Sequence, residues 1–229
     1  MIILGIETST QICSTALVAN NTLLAEYRLN IKNAHAGKLV GAIEKILQDA
    51  DVKLQELSGI AVSIGPGSFT GLRIGLSVAK GLAMPDSIPL VAVPTLAALA
   101  SQAPLADGVV CPLVRSRAKE FYAALYQRTQ FVDEQIKDVH VLQTEALQSF
   151  IPEIALLIGD IHALQKQDFD LSDFQTAPEQ YSLLSGYTIA RLGAVRLSQG
   201  RTENLDLLEP LYHQDFVAGK PKKSILFAK

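Results

Sequence analysis

A glycine-rich loop is the segment whose residue types and spacing best suit chemistry. It reads Gly65-Pro66-Gly67-Ser68-Phe69-Thr70-Gly71 and follows an apolar run typical of a buried strand. Glycine permits backbone conformations that other residues resist, and Ser68 or Thr70 can cap a helix that begins near residue 70. The N–H groups at such a helix start favour an anion. Together with the end of the first strand, the loop predicts a nucleotide or anion site formed by Glu7, Thr8, Ser9, Gly65, Gly67, Ser68, Thr70 and Gly71.

The loop does not match the two common nucleotide-binding motifs. It lacks the Gly-Lys-Ser/Thr ending of a P-loop and the glycine spacing of a dinucleotide-binding fingerprint. A second interpretation stays open, because Gly71, Gly75 and Ala79 recur at i, i+4 and i+8 on one face of the following helix. Small residues in such a row permit close packing, either within the chain or against a partner helix.

Hydrophobic patterning predicts two copies of one α/β unit, each in the order βββαβα. The first copy has strands over 2–6, 12–19, 22–29, 59–64 and 89–93, with helices over 34–49, 70–83 and 95–102. The second has strands over 108–114, 120–127, 136–142 and 154–158, helices over 144–150 and 182–198, a turn at Asp133-Glu134 and an irregular stretch over 160–180. This duplication predicts the actin-like, Hsp70 and sugar-kinase fold, with an N-terminal half over 1–105 and a C-terminal half over 106–229.

The amino-acid composition limits the classes of protein to which the chain can belong. The chain has 229 residues, of which 48% are hydrophobic, and a net charge of -3, so it carries no basic field for nucleic acid. No apolar run approaches the roughly 20 residues that span a bilayer, and the N-terminus does not have the pattern of a signal peptide. Cys13 and Cys111 lie in apolar runs that suit reduced core cysteines. We therefore expect a cytoplasmic protein without membrane contact.

Actin-like ATPases place two hairpins at the nucleotide phosphates, usually with a carboxylate that serves the Mg²⁺ shell. The first hairpin here begins at Glu7 and keeps an acid. The second spans 114–120 and has Arg115 where an acid is expected. A cation cannot hold Mg²⁺, although it can contact phosphate. The sequence therefore predicts an incomplete ATPase site.

The histidines do not form a metal-binding pattern. His35, His140, His162 and His213 include no His-x-x-x-His or His-Glu-x-x-His pair. No Ser/His/Asp or Cys/His set is evident either. We therefore predict no metal, no cofactor and no catalytic residue.

Several stretches of the chain resemble the TsaB family, also called YeaZ. The most specific is the Gly-Pro-Gly-Ser-Phe-Thr-Gly-Leu-Arg run within residues 63–75, preceded by Ile-Leu-Gly-Ile-Glu-Thr-Ser-Thr at 3–10. Weaker likeness covers 79–83, 93–96, 117–122 and the Glu-Pro-Leu-Tyr ending at 209–212. The chain departs from the family at Arg115, where members often have an acid, and at His213-Gln214, where a Tyr-x-Arg ending is common.

The resemblance implies a non-catalytic partner and activator of TsaD in the complex that forms threonylcarbamoyladenosine at position 37 of tRNAs reading ANN codons. TsaE belongs to the same assembly, tRNA is contacted only indirectly, and the chain can form a homodimer when alone. The family pairs through helices of its N-terminal half. The expected interface therefore comprises Leu39, Ile43, Ile46, Gly71, Ile74, Gly75, Val78 and Ala79.

Two other functions remain as alternatives. One is an actin-like nucleotide hydrolase or a glycoprotease-like peptidase, which needs Glu7 and the glycine loop to hold Mg-ATP, or a metal. The other is an RNA-binding module, whose footprint would be Arg115, Arg117, Lys119 and the basic tail Lys220-Pro221-Lys222-Lys223.

Overall fold

Two five-stranded sheets with the same strand order form the framework. A computed structural model describes residues 1–31, 34–130 and 132–212. His213 and the basic tail from Lys220 to Lys223 lie outside these residues. The first sheet has the order β3-β2-β1-β4-β5. Its strands are β1 (Ile2–Glu7), β2 (Cys13–Ala19), β3 (Thr22–Leu29), β4 (Gly59–Gly65) and β5 (Leu90–Pro94), and its helices are α1 (Ala34–Asp49), α2 (Phe69–Ala83) and α3 (Thr95–Ser101).

The second sheet repeats this order as β8-β7-β6-β9-β10. Its strands are β6 (Gly108–Arg117), β7 (Glu120–Thr129), β8 (Val132–Gln143), β9 (Leu156–Gly159) and β10 (Gln175–Thr176), and its helices are α4 (Thr144–Phe150), α5 (Ile161–Gln165), α6 (Glu179–Ser182) and α7 (Gly186–Ser198). In each sheet the first three strands pair antiparallel and the last two pair parallel. This repetition confirms the predicted duplication and the actin-like fold.

Local signals explain where several elements begin and end. Asn20 and Asn21 have φ of 48° and 67°, so they form the predicted tight turn between β2 and β3. Helix α7 ends before Gly200, whose φ of 72° suits a helix C-terminus. The stretch over 160–180, predicted as irregular, contains α5, β10 and the start of α6, which are too short to show a hydrophobic period.

The predicted turn at Asp133-Glu134 is wrong. Both residues lie within β8, where they pair with Arg128 and Gln127 of β7. The chain reverses earlier, at Gln130, whose φ is 50°. Acidic residues suggested a turn. Instead, Arg128 of β7 donates hydrogen bonds to the Asp133 carboxylate, and these bonds fix Asp133 in the sheet.

Within the residues that the structure describes, buried apolar side chains form three clusters. One lies between the first sheet and helices α1 and α2, and another between the second sheet and helices α4 and α5. The third joins the facing sides of both sheets through α3 and α7. Within the described residues, no helix is long and apolar enough to cross a membrane.

Helix α7 follows the second sheet in sequence but packs on the first, against β1, β4 and β2. The approach is so close that a Cβ atom on Gly5 would overlap the carbonyl oxygen of Gly186. A Cβ atom on Gly193 would likewise overlap the side chain of Ala61. The division into 1–105 and 106–229 separates the two sheets and stays a prediction about folding units, since α7 contributes to the core of the first.

Arg128 fixes α3 to the second sheet. Its side chain is 2% exposed, yet its guanidinium is fully hydrogen-bonded. It donates to both carboxylate oxygens of Asp133 at 2.7 and 2.8 Å. It also donates to the carbonyl oxygens of Ala100, Ala103 and Leu105 at 2.7, 2.6 and 3.1 Å, where α3 ends. A cation at a helix C-terminus is favourable, and these bonds satisfy groups that would otherwise be buried unpaired.

Replacing Arg128 with Ala is therefore expected to lower the free energy of unfolding by about 3–5 kcal/mol, because Asp133 and three carbonyl groups lose their donor. Urea denaturation followed by circular dichroism measures the change. Arg28→Ala is the matched control, because Arg28 pairs with Glu26 at 3.1 Å on the surface and is expected to cost less than about 1 kcal/mol. Equal losses in the two variants would contradict the role given to Arg128.

Candidate functional site: the cleft between the sheets

A cleft of about 850 Å³ lies where the carboxyl ends of β1 and β4 face those of β6 and β9. The first sheet contributes the β1–β2 turn and the glycine-rich loop. The second contributes the β6–β7 hairpin and the segment after β9. The residues that line the cleft include Ser9, Thr10, Gln11, Gly67, Ser68, Arg115, Arg117, Asp160, His162, Lys166, Glu179, Leu211 and Tyr212.

Glu7 does not line the cleft, although it ends β1 beside it. Its side chain is fully buried, and Oε1 accepts from the Ser9 N–H at 2.8 Å, the Ser9 hydroxyl at 2.7 Å and the Thr10 N–H at 3.1 Å. Oε2 has no hydrogen-bond partner among the described residues. Burial raises the pKa of Glu7, and the bonds from Ser9 oppose that shift. The carboxyl group therefore holds the β1–β2 turn and is unavailable to a ligand in the cleft.

The glycine-rich loop packs against that turn. Ser68 donates its N–H to the Ser9 carbonyl oxygen at 2.6 Å, and its hydroxyl accepts from the Gly71 N–H at 3.2 Å as the N-cap of α2. A Cβ atom on Gly67 would overlap the Ser9 carbonyl oxygen, and one on Gly71 would overlap the Thr8 carbonyl oxygen. Of the two predicted caps, Ser68 and Thr70, the one observed is Ser68. The glycines are needed because the two backbones touch.

The small-residue face of α2 also meets the chain itself. A Cβ atom on Gly75 would overlap the Thr8 hydroxyl oxygen, and Ala79 is buried in the core beneath α1 and α2. Of the two interpretations left open by the sequence, internal packing is therefore the one observed. The expectation that Gly71, Gly75 and Ala79 meet a partner is wrong.

The interface expected on α1 needs the same correction. Leu39, Ile43 and Ile46 are at most 2% exposed and belong to the core of the first sheet. An apolar helical stripe covers the chain's own sheet first, because that burial stabilises the monomer. Of the eight expected interface residues, Ile74 and Val78 remain half-buried at the surface.

The C-terminal segment closes one side of the cleft. Leu211 donates its N–H to the Ile64 carbonyl oxygen at 2.8 Å, beside Gly65, whose φ of 110° suits glycine. Tyr212 accepts from Nε of Arg73 at 2.9 Å. The Arg73 guanidinium also lies 3.8 Å from the ring centroid of Phe69. These contacts place Leu211 and Tyr212 in the cleft wall.

The opposite wall carries the cationic hairpin predicted from the sequence. Arg115 and Arg117 both line the cleft, whereas Lys119 of the same hairpin does not. Arg115 donates its backbone N–H to Oδ2 of Asp160 at 2.7 Å and its Nε to the Arg117 carbonyl oxygen at 3.1 Å. These two bonds fix the position from which the Arg115 guanidinium enters the cleft.

Asp160 is an acid in the cleft that sequence reasoning missed. It directly follows β9, after Gly159 with φ of 112°. Burial raises the pKa of Asp160, while the hydrogen bond from Arg115 and its charge oppose that shift. A glycine at the end of a buried strand was the signal, because Gly65 ends β4 in the same way that Gly159 ends β9.

Three of the eight predicted anion-loop residues, Ser9, Gly67 and Ser68, line the cleft. The other five are Glu7, Thr8, Gly65, Thr70 and Gly71, which lie outside its lining. No group of three or more His, Cys, Asp or Glu side chains suited to a metal occurs among the residues that the structure describes. His162 lines the cleft, whereas a ring nitrogen of His35 bonds to the Ile12 carbonyl oxygen at 2.9 Å.

Replacing Glu7 with Gln is expected to remove a pH dependence of stability. Because burial raises the pKa of Glu7, the folded state keeps this proton to a higher pH than the unfolded state, whose value is near 4.5. The wild-type free energy of unfolding therefore falls as the pH rises from that value through the folded pKa. The Gln amide oxygen can keep the bonds to Ser9 and Thr10, without a charge to bury. Urea denaturation at a series of pH values between 4 and 9 measures both profiles.

Glu44→Gln, on the exposed side of α1, is the matched control and should follow the wild-type profile. A Glu7→Gln variant with the wild-type slope would show that the buried carboxyl group does not cause it.

Comparison with known proteins places this geometry in a family. Residues 22–215 match the family model described as TsaD, tRNA N6-adenosine threonylcarbamoyltransferase. The chain is 35% identical over 170 residues to the tRNA threonylcarbamoyladenosine biosynthesis protein TsaB of Bacillus subtilis (strain 168), which covers 73% of this chain and 74% of that protein. It is 36% identical over 132 residues to the protein of the same name from Escherichia coli (strain K12), which covers 57% of each.

A solved structure of YeaZ from Pseudomonas aeruginosa has the same fold. It superposes with a TM-score of 0.80 at 26% identity and covers 92% of this chain and 99% of that one. The likeness to the solved structure thus covers the arrangement of both sheets. The chain belongs to the TsaB (YeaZ) family, within the wider family matched by the TsaD model.

Proposed function

We propose that the chain is a non-catalytic partner and activator of TsaD in the complex that forms threonylcarbamoyladenosine at position 37 of ANN-reading tRNAs. The observation that carries this proposal is the 35% identity to TsaB of Bacillus subtilis over 74% of that protein's length. TsaE belongs to the same proposed assembly in the cytoplasm, and tRNA is contacted indirectly.

The chemistry of the cleft supports a non-catalytic role. The acid of the first hairpin, Glu7, is committed to the β1–β2 turn, and the second hairpin presents Arg115. Asp160 bonds to the backbone of Arg115. Two opposed carboxylates free to hold Mg²⁺, which a hydrolase of this fold would need, are therefore not found in the described cleft wall.

The outward side of α1 and α2 supports a pairing surface. Val40 and Met84 are both 61% exposed, and a Cβ atom on Gly41 or Gly81 would meet no heavy atom within 4 Å. We call this surface the α1–α2 face. It comprises Gly37, Val40, Gly41, Ile74, Ser77, Val78, Gly81 and Met84.

This face has the composition that helix pairing requires. Gly37 and Gly41 stand at i and i+4 on α1, so a partner helix can approach its backbone closely. Ile74 and Val78 stand at the same spacing on α2 and supply apolar area. The two helices contact each other, so the stripes form one surface. The proposed partner of this surface is TsaD, or a second copy of the chain when TsaD is absent.

Gly41→Glu is expected to abolish co-purification with TsaD while the chain stays folded. Open space surrounds Gly41, and replacing a mid-helix glycine favours the helix, so the monomer gains up to about 0.5–1 kcal/mol. A charge buried in the interface would weaken binding at least about tenfold. Affinity measured by calorimetry with TsaD tests this.

Ala146→Glu adds the same charge to the exposed side of α4, away from the α1–α2 face, and should bind normally. Normal binding by Gly41→Glu as well would contradict the proposed interface.

Reconstitution tests the activating role itself. Modification of an ANN-reading tRNA by TsaD and TsaE is expected to rise when the chain is added, and Gly41→Glu should give no such rise. The isolated chain is expected to hydrolyse no ATP. Modification at the same rate without the chain would refute activation, and ATP hydrolysis by the chain alone would favour the hydrolase alternative.

A further inference from the structure

The charge of the cleft wall differs from that of the whole molecule. The chain has a net charge of -3, whereas the cleft wall includes the three cations Arg115, Arg117 and Lys166. Two acids, Asp160 and Glu179, also line it. The cleft is therefore a locally cationic region on an acidic protein, which favours an anionic ligand.

Arg115 is positioned for such a ligand. Its backbone and Nε are held by Asp160 and by the Arg117 carbonyl oxygen. Within the described part of the chain, its two terminal nitrogens have no hydrogen-bond partner. A guanidinium with free, planar N–H groups can bind a phosphate oxygen pair bidentately, and its fixed stem reduces the entropy lost on binding.

The facing wall supplies uncharged donors. The β1–β2 turn presents the amide of Gln11, and the glycine-rich loop presents the hydroxyl of Ser68. The Ser9 hydroxyl already donates to Glu7. Hydroxyl and amide groups there can donate to oxygens on the far side of a ligand that the arginines hold. The two walls thus offer donors from both sides of one cavity.

A metal ion is not part of this arrangement. Glu7 is turned into the protein, and Asp160 already accepts a hydrogen bond from Arg115. Divalent cations that accompany phosphates need carboxylate or water ligands in an open site. In this cleft the arginines are placed to neutralise the phosphate charge instead.

We propose that the cleft binds a small polyanion of the diphosphate class without a metal ion, through Arg115 and Arg117 on one wall and Gln11 and Ser68 on the other. The volume of about 850 Å³ lies within the range of small-molecule sites and is closed to a double helix. This site is independent of the α1–α2 face, so it stands or fails separately from the pairing with TsaD.

Calorimetry with inorganic pyrophosphate, in buffer containing EDTA and little salt, tests the proposal on the full chain. We expect one site per chain, with an affinity that added Mg²⁺ does not increase. Arg115→Ala and Arg117→Ala are each expected to weaken binding at least about tenfold, which corresponds to about 1.4 kcal/mol. Circular dichroism confirms that each variant is folded. Arg117→Ala leaves both hydrogen bonds of Arg115 in place, because residue 117 accepts through its backbone carbonyl oxygen.

Lys119→Ala is the matched control. It removes a cation from the same hairpin, but Lys119 does not line the cleft, so pyrophosphate affinity should stay unchanged. The proposal is overturned by an absence of binding, by a requirement for Mg²⁺, or by an equal loss in Lys119→Ala. It is also overturned if a single-stranded RNA displaces pyrophosphate and binds through Lys119, since the hairpin would then recognise nucleic acid.

Discussion

The contact between the β1–β2 turn and the glycine-rich loop is the constraint on which the first half depends. One buried oxygen of Glu7 accepts hydrogen bonds from three donors of the turn. These bonds fix the positions of the Thr8 and Ser9 carbonyl groups. The loop and α2 then approach these carbonyls so closely that Gly67 and Gly71 admit no side chain. The same contact sets the direction of α2, and hence the surface that α2 shares with α1.

Many elements of the fold were predictable from the sequence, because they follow from local chemistry. Buried apolar runs gave β1 and β4, Ser68 suited an N-cap, and Asn20-Asn21 suited a tight turn. The duplication followed from the order of the elements, which needs no knowledge of their packing. These features depend on neighbouring residues, and their signals lie within a few positions of each other.

The features that were missed depend on residues far apart in sequence. Arg128 appears as a solvated charge until Asp133 and the end of α3 enclose it. Asp160 gains its place from the backbone of Arg115, 45 positions away. Helical periodicity identified the apolar stripe of α1 but not the surface against which it packs. The stripe, formed by Leu39, Ile43 and Ile46, covers the first sheet of the chain itself. The surface left for another protein is the one with small and mixed residues, which periodicity does not single out.

The apolar cluster shared by both sheets has a consequence for how the cleft can work. Opening the cleft widely would disturb the contacts of α3 with α7 and with the second sheet, and it would expose part of that apolar layer to water. The shared apolar layer therefore opposes a wide opening of the cleft. A ligand shifts a conformational equilibrium only when it binds two states unequally, and this layer makes an open state costly. A polyanion bound in the cleft would then act on a neighbouring protein through the change in surface charge.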